Sequence, residues 1–396
     1  AVARPDGYQV MAGALARSAP TPNTMLVSNS AGAVAKDVWV LSSEPYALPD
    51  PWVHEGPAPS RLTASISPRV AEDMYWLGRY AERAEATIRL LRATADRWED
   101  FHNSGGTTGG QALDVVAAAL ADVAAPGPLA EVLLEESRPG TVAYAIHRLT
   151  GVATSVRDQL SSDTWPALSA VERTLARERR RHVAPAAVEG AGNEFPPSGR
   201  TADRLIESLL ALQGLAAESM VRDVGWFLLD VGRRLERAQF LVDTLAATVG
   251  HRRSDAVDSL VLESVLIANE SIITYRRRYQ TRANVRTVLD LLLADGRNPR
   301  SLAFQLDRLQ ASLAEVHAPG RTAARDLLVS DLRDLVAELD TGVLATIDDN
   351  GLRRHLVDLL DSLGWRLREL DGELTRAHFA HPVPSQWPEA GSWGTP

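Results

Sequence analysis

From Ser67 to about residue 378 the apolar positions fall at three- and four-residue steps, the period of helices that each bury one stripe. Val70, Met74, Leu77, Ala81, Ala84, Ile88 and Leu91 draw such a stripe along a first long helix. Ser67 followed by Pro68 gives it an N-cap and a first-turn residue, and the Gly-rich stretch 102–110 stops it. Further helical patterns run over 111–124, 128–136, 141–160 and 163–181. Beyond a Pro-, Gly- and Ala-rich break at 183–199 they resume over 201–248, 255–279, 284–294, 299–316, 322–340 and 350–378. Residues 1–42 read differently: short β-rich runs at Tyr8–Met11, Met25–Ser28 and Asp37–Leu41 lie between Gly, Pro and Asn, too few strands for a domain. Residues 43–66, with Pro45, Pro49, Pro51, Pro57 and Pro59, predict an extended linker, and residues 381–396 a disordered tail.

The helical pattern is written twice. Gly78-Arg79-Tyr80-Ala81-Glu82-Arg83-Ala84 returns as Gly232-Arg233-Arg234-Leu235-Glu236-Arg237-Ala238 at an offset of 154 (232 − 78), and the apolar stripe from Val70 to Leu91 maps onto Val224 to Leu245 at the same offset. Downstream, Thr141, Ala143, Tyr144, Ile146, Arg148 and Leu149 match Ser301, Ala303, Phe304, Leu306, Arg308 and Leu309 at an offset of 160 (301 − 141). Two blocks in one order predict two related halves, 67–199 and 200–380. The expected fold is all-α: a helical bundle in pseudo-two-fold arrangement, plus a short N-terminal β-rich remnant.

The chain's 396 residues hold no cysteine, which excludes disulfide scaffolds, thiol nucleophiles and cysteine-ligated metals. A net charge of −9 argues against general nucleic-acid or anionic-membrane binding. No apolar run approaches the roughly 20 residues that cross a bilayer, and the expected location is cytoplasmic. The chain opens on Ala1 in mid-strand pattern, as a fragment or processed product would. Lys36 is its single lysine, so arginine is the default base and its use alone carries little information.

On the repeated helix, Gly78, Glu82 and Glu85 share one flank, Arg79 and Arg83 another, and the apolar stripe a third face. If the two copies cross near the pseudo-axis, Glu82 meets Arg237 and Glu236 meets Arg83 in a reciprocal charged layer, with Gly78 and Ala84 admitting a close neighbour. Ion pairs local to each helix, or solvated polar flanks, are equally compatible with the pattern. No nucleophile or metal partner marks the layer as catalytic. Tyr275, Tyr279, Arg282 and Arg286 fall on one face of a continuous helix, where they can hold a carboxylate or phosphate or simply pair with acids. Glu99-x-x-His102 occurs once, where ferritin-like metal bundles need the motif on two helices, so no metal site is expected.

The stretch Ser67-Pro68-Arg69-Val70-Ala71-Glu72-Asp73-Met74-Tyr75-Trp76-Leu77-Gly78-Arg79-Tyr80-Ala81-Glu82-Arg83-Ala84-Glu85, with Tyr275 to Tyr279 and Asn298 to Leu306, resembles the signature of the bacterial alpha-E domain family. That resemblance covers about 67–378 and implies an all-helical domain with no chemistry of its own to carry over. Residues 1–42 resemble the closing segment of a circularly permuted ATP-grasp domain. Arg17 and Lys36 stand where that family has a Pro-Gly-Gly-x-x-Arg stretch and a Lys-Asp-x-Trp-Val ending, although Ala12 and Ala14 replace its Pro and second Gly. This second resemblance implies ATP and magnesium bound with an upstream ATP-grasp core, amide-bond formation, and operon partners such as transglutaminase-like or proteasome-like peptidases.

Overall fold

In the computed structural model, residues 2–4, 7–9, 13–19, 34–39, 66–183, 199–316 and 323–379 are described, and the chain forms two units, Ala1–Ser65 and Ile66–Pro396. In the first, β1 (Val2–Arg4) pairs antiparallel with β2 (Gly7–Gln9), and β3 (Gly13–Ser18) with β4 (Val34–Trp39). The expected strands at Tyr8–Met11 and Asp37–Leu41 overlap β2 and β4, whereas Met25–Ser28 lies outside the described residues. So do 43–65 of the expected linker and the expected tail at 381–396.

The second unit is all helix. Its first part comprises α1 (Pro68–Phe101), α2 (Thr108–Val123), α3 (Leu129–Leu134), α4 (Val142–Ser155), α5 (Thr164–Val183) and α6 (Gly199–Ser219). The second comprises α7 (Val224–Val249), α8 (Asp255–Ala268), α9 (Ile272–Tyr279), α10 (Val285–Leu289), α11 (Leu302–Ala314), α12 (Ala323–Ala337), α13 (Thr341–Leu344) and α14 (Arg354–His378). Ser67, Thr107, Thr141, Asp223, Ser254 and Ser301 each accept the amide three residues on, the side-chain cap that starts a helix at a defined residue.

α1 and α7 pack along each other at the centre; α4 and α6 pack on α1 as α11 and α14 pack on α7. One hydrophobic core runs through both parts, joining Ala84, Ile88 and Leu91 to Leu235, Ala238, Val242 and Leu245. The matched details extend to the caps. Thr141 donates to the Glu135 carbonyl oxygen, and Ser301, its counterpart, donates to that of Asp295.

Three expectations are corrected. The halves do not meet at 199/200: α6 packs on α1 and matches α14, with Ala202, Leu205, Leu209, Leu212 and Ala216 answering to Leu360, Leu363, Leu367, Leu370 and Leu374 at an offset of 158 (360 − 202). The boundary therefore lies at residues 220–223, where the Asp223 cap restarts the chain as α7. The pattern over 255–279 is two helices, because Glu270 turns to φ 51° and breaks the ladder without a glycine or proline to announce it. The stretch 284–294 ends in a π-turn at Asp290–Ala294, a wider winding that periodicity does not reveal.

Candidate functional site at the crossing of two matched helices

The site begins with what glycine permits. A Cβ placed on Gly78 would fall well inside 3.0 Å of the Leu229 carbonyl oxygen, and one on Gly232 would do the same to that of Tyr75. Leu229 is the counterpart of Tyr75, as Gly232 is of Gly78, so each helix lays its glycine on the equivalent backbone of the other. Backbones this close bring the side chains one turn along into direct contact.

Glu82 on α1 accepts from Arg237 on α7 through both carboxylate oxygens, at 2.6 Å each. Reciprocally, Glu236 on α7 accepts from Arg83 on α1 at 2.5 and 2.8 Å, and also from Arg79. The structure thus makes both cross-helix pairs, in buried surroundings: Glu82 is 0 % exposed and Glu236 5 %. Burial would raise the Glu236 carboxyl, but Arg79 and Arg83 hold it below the usual carboxylate range. Burial likewise disfavours the charge on Arg79 and Arg237, and their carboxylate partners more than restore it, Glu236 first for Arg79 and Glu82 first for Arg237.

Around this layer stand residues outside the repeated heptapeptide. Arg79 also donates to Asp371 of α14 at 2.8 Å and to the Tyr75 hydroxyl at 2.7 Å, and that hydroxyl donates to Asp371. Glu85, fully buried, accepts from Arg89 at 2.8 Å, Arg300 at 2.7 Å and Gln213 of α6 at 2.5 Å. Burial pushes its carboxyl up, but Arg300, Arg237 and Arg89 bring it down to about 2. Arg233, the counterpart of Arg79 in the repeated heptapeptide, does not cross to α1. It turns back to Asp230 of its own helix, which also binds Arg234 and accepts from Ser312 at 2.8 Å.

The arrangement commits each carboxylate to cations and denies it solvent. Charges so paired fix helix register and crossing better than they add net stability, since desolvation offsets much of their attraction. A general acid or base needs a pKa near neutrality and access to a substrate, and the low Glu85 and Glu236 carboxyls have neither.

The Alpha-E profile, described as "a predicted alpha-helical domain with a conserved ER motif", matches residues 66–379. The chain belongs to the Alpha-E family. Two Glu-Arg dipeptides, Glu82-Arg83 and Glu236-Arg237, meet in the charged layer. Uncharacterized proteins of Mycobacterium tuberculosis and Mycobacterium bovis are 32 % identical over 414 aligned residues, 96 % of this chain and 45 % of theirs. The chain thus spans less than half the length of the curated relatives it matches. No solved structure matches it.

The other predicted residues in this Alpha-E protein fare differently. Tyr275, Tyr279, Arg282 and Arg286 do not share a helix face, because α9 ends at Tyr279 and Gln280 takes φ 52°. Tyr275 is buried and donates to the Arg282 carbonyl oxygen, and Tyr279 donates to Asp290 at 2.5 Å. Arg17 stands opposite Ala35 and Lys36 opposite Ala16, so side-chain alternation puts the two cations on opposite faces of the β3–β4 hairpin. Among the described residues, no three His, Asp or Glu gather as metal ligands would, and no helix is long and apolar enough to cross a membrane.

Proposed function

We propose that the helical unit is a noncatalytic interaction module, the C-terminal part of an ATP-grasp-type amide- or peptide-ligase-like bacterial protein, which docks a substrate, partner or sister domain. The observation that carries this reading is the charged layer, whose buried carboxylates are consumed in holding two helices together rather than offered to a substrate. Calorimetric titration of the chain with Mg-ATP tests it: no binding that depends on Lys36 is expected, and binding that Lys36→Ala abolishes would overturn it. Docking is tested on the Mycobacterium tuberculosis relative, expressed as its matched and unmatched parts, which should co-elute from a sizing column.

A second reading is an ATP-dependent amidoligase in which Arg17 and Lys36 bind nucleotide together with an ATP-grasp core elsewhere in the full protein. The relatives favour it to this extent, that more than half of their length lies outside the match. In this reading the transglutaminase-like or proteasome-like peptidases are its partners. Release of inorganic phosphate by the full-length relative, dependent on an added amine and lost on changing the residue matched to Lys36, is the expected result.

A further inference from the structure

The C-terminal end of α5 and the N-terminal end of α6 flank an open cavity of about 360 Å³, lined by Thr174, Arg177, Glu178, Arg181, Arg200, Thr201 and Arg204. That volume lies within the range of small-molecule sites. Four guanidinium groups face one carboxylate. Glu178 is 3 % exposed and already accepts from Thr201 at 2.7 Å and Arg181 at 3.1 Å. Among the described residues, Arg177, Arg200 and Arg204 have no carboxylate partner, and all three are exposed. The first turn of α6 carries no acid, so its amide ends add positive potential at the same place.

The duplication supplies the control. α5 matches α12 with Leu168, Val171 and Leu175 answering to Val329, Leu332 and Val336 at an offset of 161 (329 − 168), and α6 matches α14. At these offsets the counterparts of Arg177 and Arg200 are Glu338 and Asp358, and that of Arg204 is Ser362. Glu178 and Thr201 are answered by Leu339 and Leu359, which pack on the hydrophobic core. In the second half two leucines thus take the places of the buried glutamate and threonine, Leu339 just past the end of α12 at Ala337 and Leu359 on α14. Packing does not require the buried Glu178–Thr201 hydrogen bond or the arginine rim.

We propose that this cavity binds a small anion bearing at least two phosphoryl groups. Arg177 and Arg181 stand one turn apart on α5, and Arg200 and Arg204 one turn apart on α6. Each pair is thus spaced by roughly 6 Å, to grip neighbouring phosphoryl groups from two sides. The planar fork of arginine matches phosphate oxygens in a way that a single ammonium does not. Glu178 holds Arg181 and Thr201 in place on the cavity wall, and bound anion relieves the repulsion among the four cations.

The test is calorimetric titration of the full chain with inorganic pyrophosphate at low ionic strength, with succinate as the carboxylate comparison. One saturable site is expected for pyrophosphate, weakened at least about tenfold by the pair Arg177→Gln and Arg204→Gln. Melting of that variant should be unchanged, because both side chains are exposed. The matched pair Arg252→Gln and Arg297→Gln, exposed arginines elsewhere, should leave binding intact. No saturable heat, equal loss in both double variants, or equal affinity for succinate would each overturn the proposal.

Discussion

The two halves keep one apolar plan and differ in what they place around it. Where the first half has Ala81, Ala153 and Ala216, the second has Leu235, Leu313 and Leu374. The first half accordingly retains an apolar cavity of about 50 Å³ beside Gly78, lined in part by those alanines. The charges differ in the same manner. Trp76, stacked on Tyr80 at 5.2 Å, is replaced by Asp230, and Tyr80 by Arg234. Asp230 captures Arg233, which leaves Glu82 with Arg237 as its close partner, while Glu236 receives both Arg79 and Arg83. The difference teaches that the crossing is fixed by the two glycines and by Glu-Arg reciprocity, and that the flanks are free to specialise.

The largest expected effect separates those two carboxylates. Glu236→Gln takes one carboxylate from two arginines, leaving Arg79, which is 3 % exposed, with Asp371 as its remaining carboxylate and Arg83 without its partner, and should cost about 3–5 kcal/mol, the range for breaking a buried pair. Glu82→Gln strands Arg237 alone and should cost less. Melting curves on both variants measure the order, and equal or unchanged melting would break the asymmetry. Next come the glycines. Alanine in place of a helical glycine ordinarily stabilises by about 1 kcal/mol, yet Gly78→Ala and Gly232→Ala should each destabilise by roughly 2–3 kcal/mol because the new methyl meets a backbone carbonyl. Urea denaturation gives the sign directly, and stabilisation by either would sink the close crossing.

Much of this was legible in the sequence, because both the helix period and the heptapeptide copy are local signals. Glu82–Arg237 and Glu236–Arg83 follow once two equivalent helices are crossed. Asp371, Gln213 and Arg300 were not legible as members of the layer: each reaches it from another helix or turn, more than 120 residues from its partner on α1, and no spacing rule connects them. The face assigned to Tyr275 through Arg286 failed for a related reason. A left-handed Gln280 costs little enough to occur without glycine, so composition gave no sign of the turn.

The alanine-for-leucine difference can be sharpened by exchange. Ala153→Leu installs the residue that the second half uses at Leu313 and should stabilise by about 1 kcal/mol if the neighbouring cavity accepts the added methyl groups. Guanidinium denaturation midpoints measure it. A loss would mean that the surrounding helices have closed around alanine, and that the halves differ in backbone spacing as well as in side-chain size.

The smallest effect distinguishes the ends of α6 and α14, where Met220 in the first half answers to His378 in the second. Burial, and then the Arg325 guanidinium that donates to its Nε2 at 3.3 Å, lower the His378 pKa to about 4 from 6.5. Between those values the unfolded chain holds the proton more tightly than the folded one, so stability falls as pH drops from about 6.5 through 4. Because the ring is partly exposed, solvent screening reduces the change to about 1 kcal/mol between pH 6.5 and 5. Glu85 acts in a separate window: its carboxyl is lowered from 4.5 to about 2, so its contribution is complete above 4.5 and lost only as pH falls through 2. His378→Met should therefore flatten the melting temperature between pH 6.5 and 5 while leaving the steeper acid loss below 4.5 in place. A slope that survives the substitution would assign this window to another group and remove the functional difference between the two helix ends.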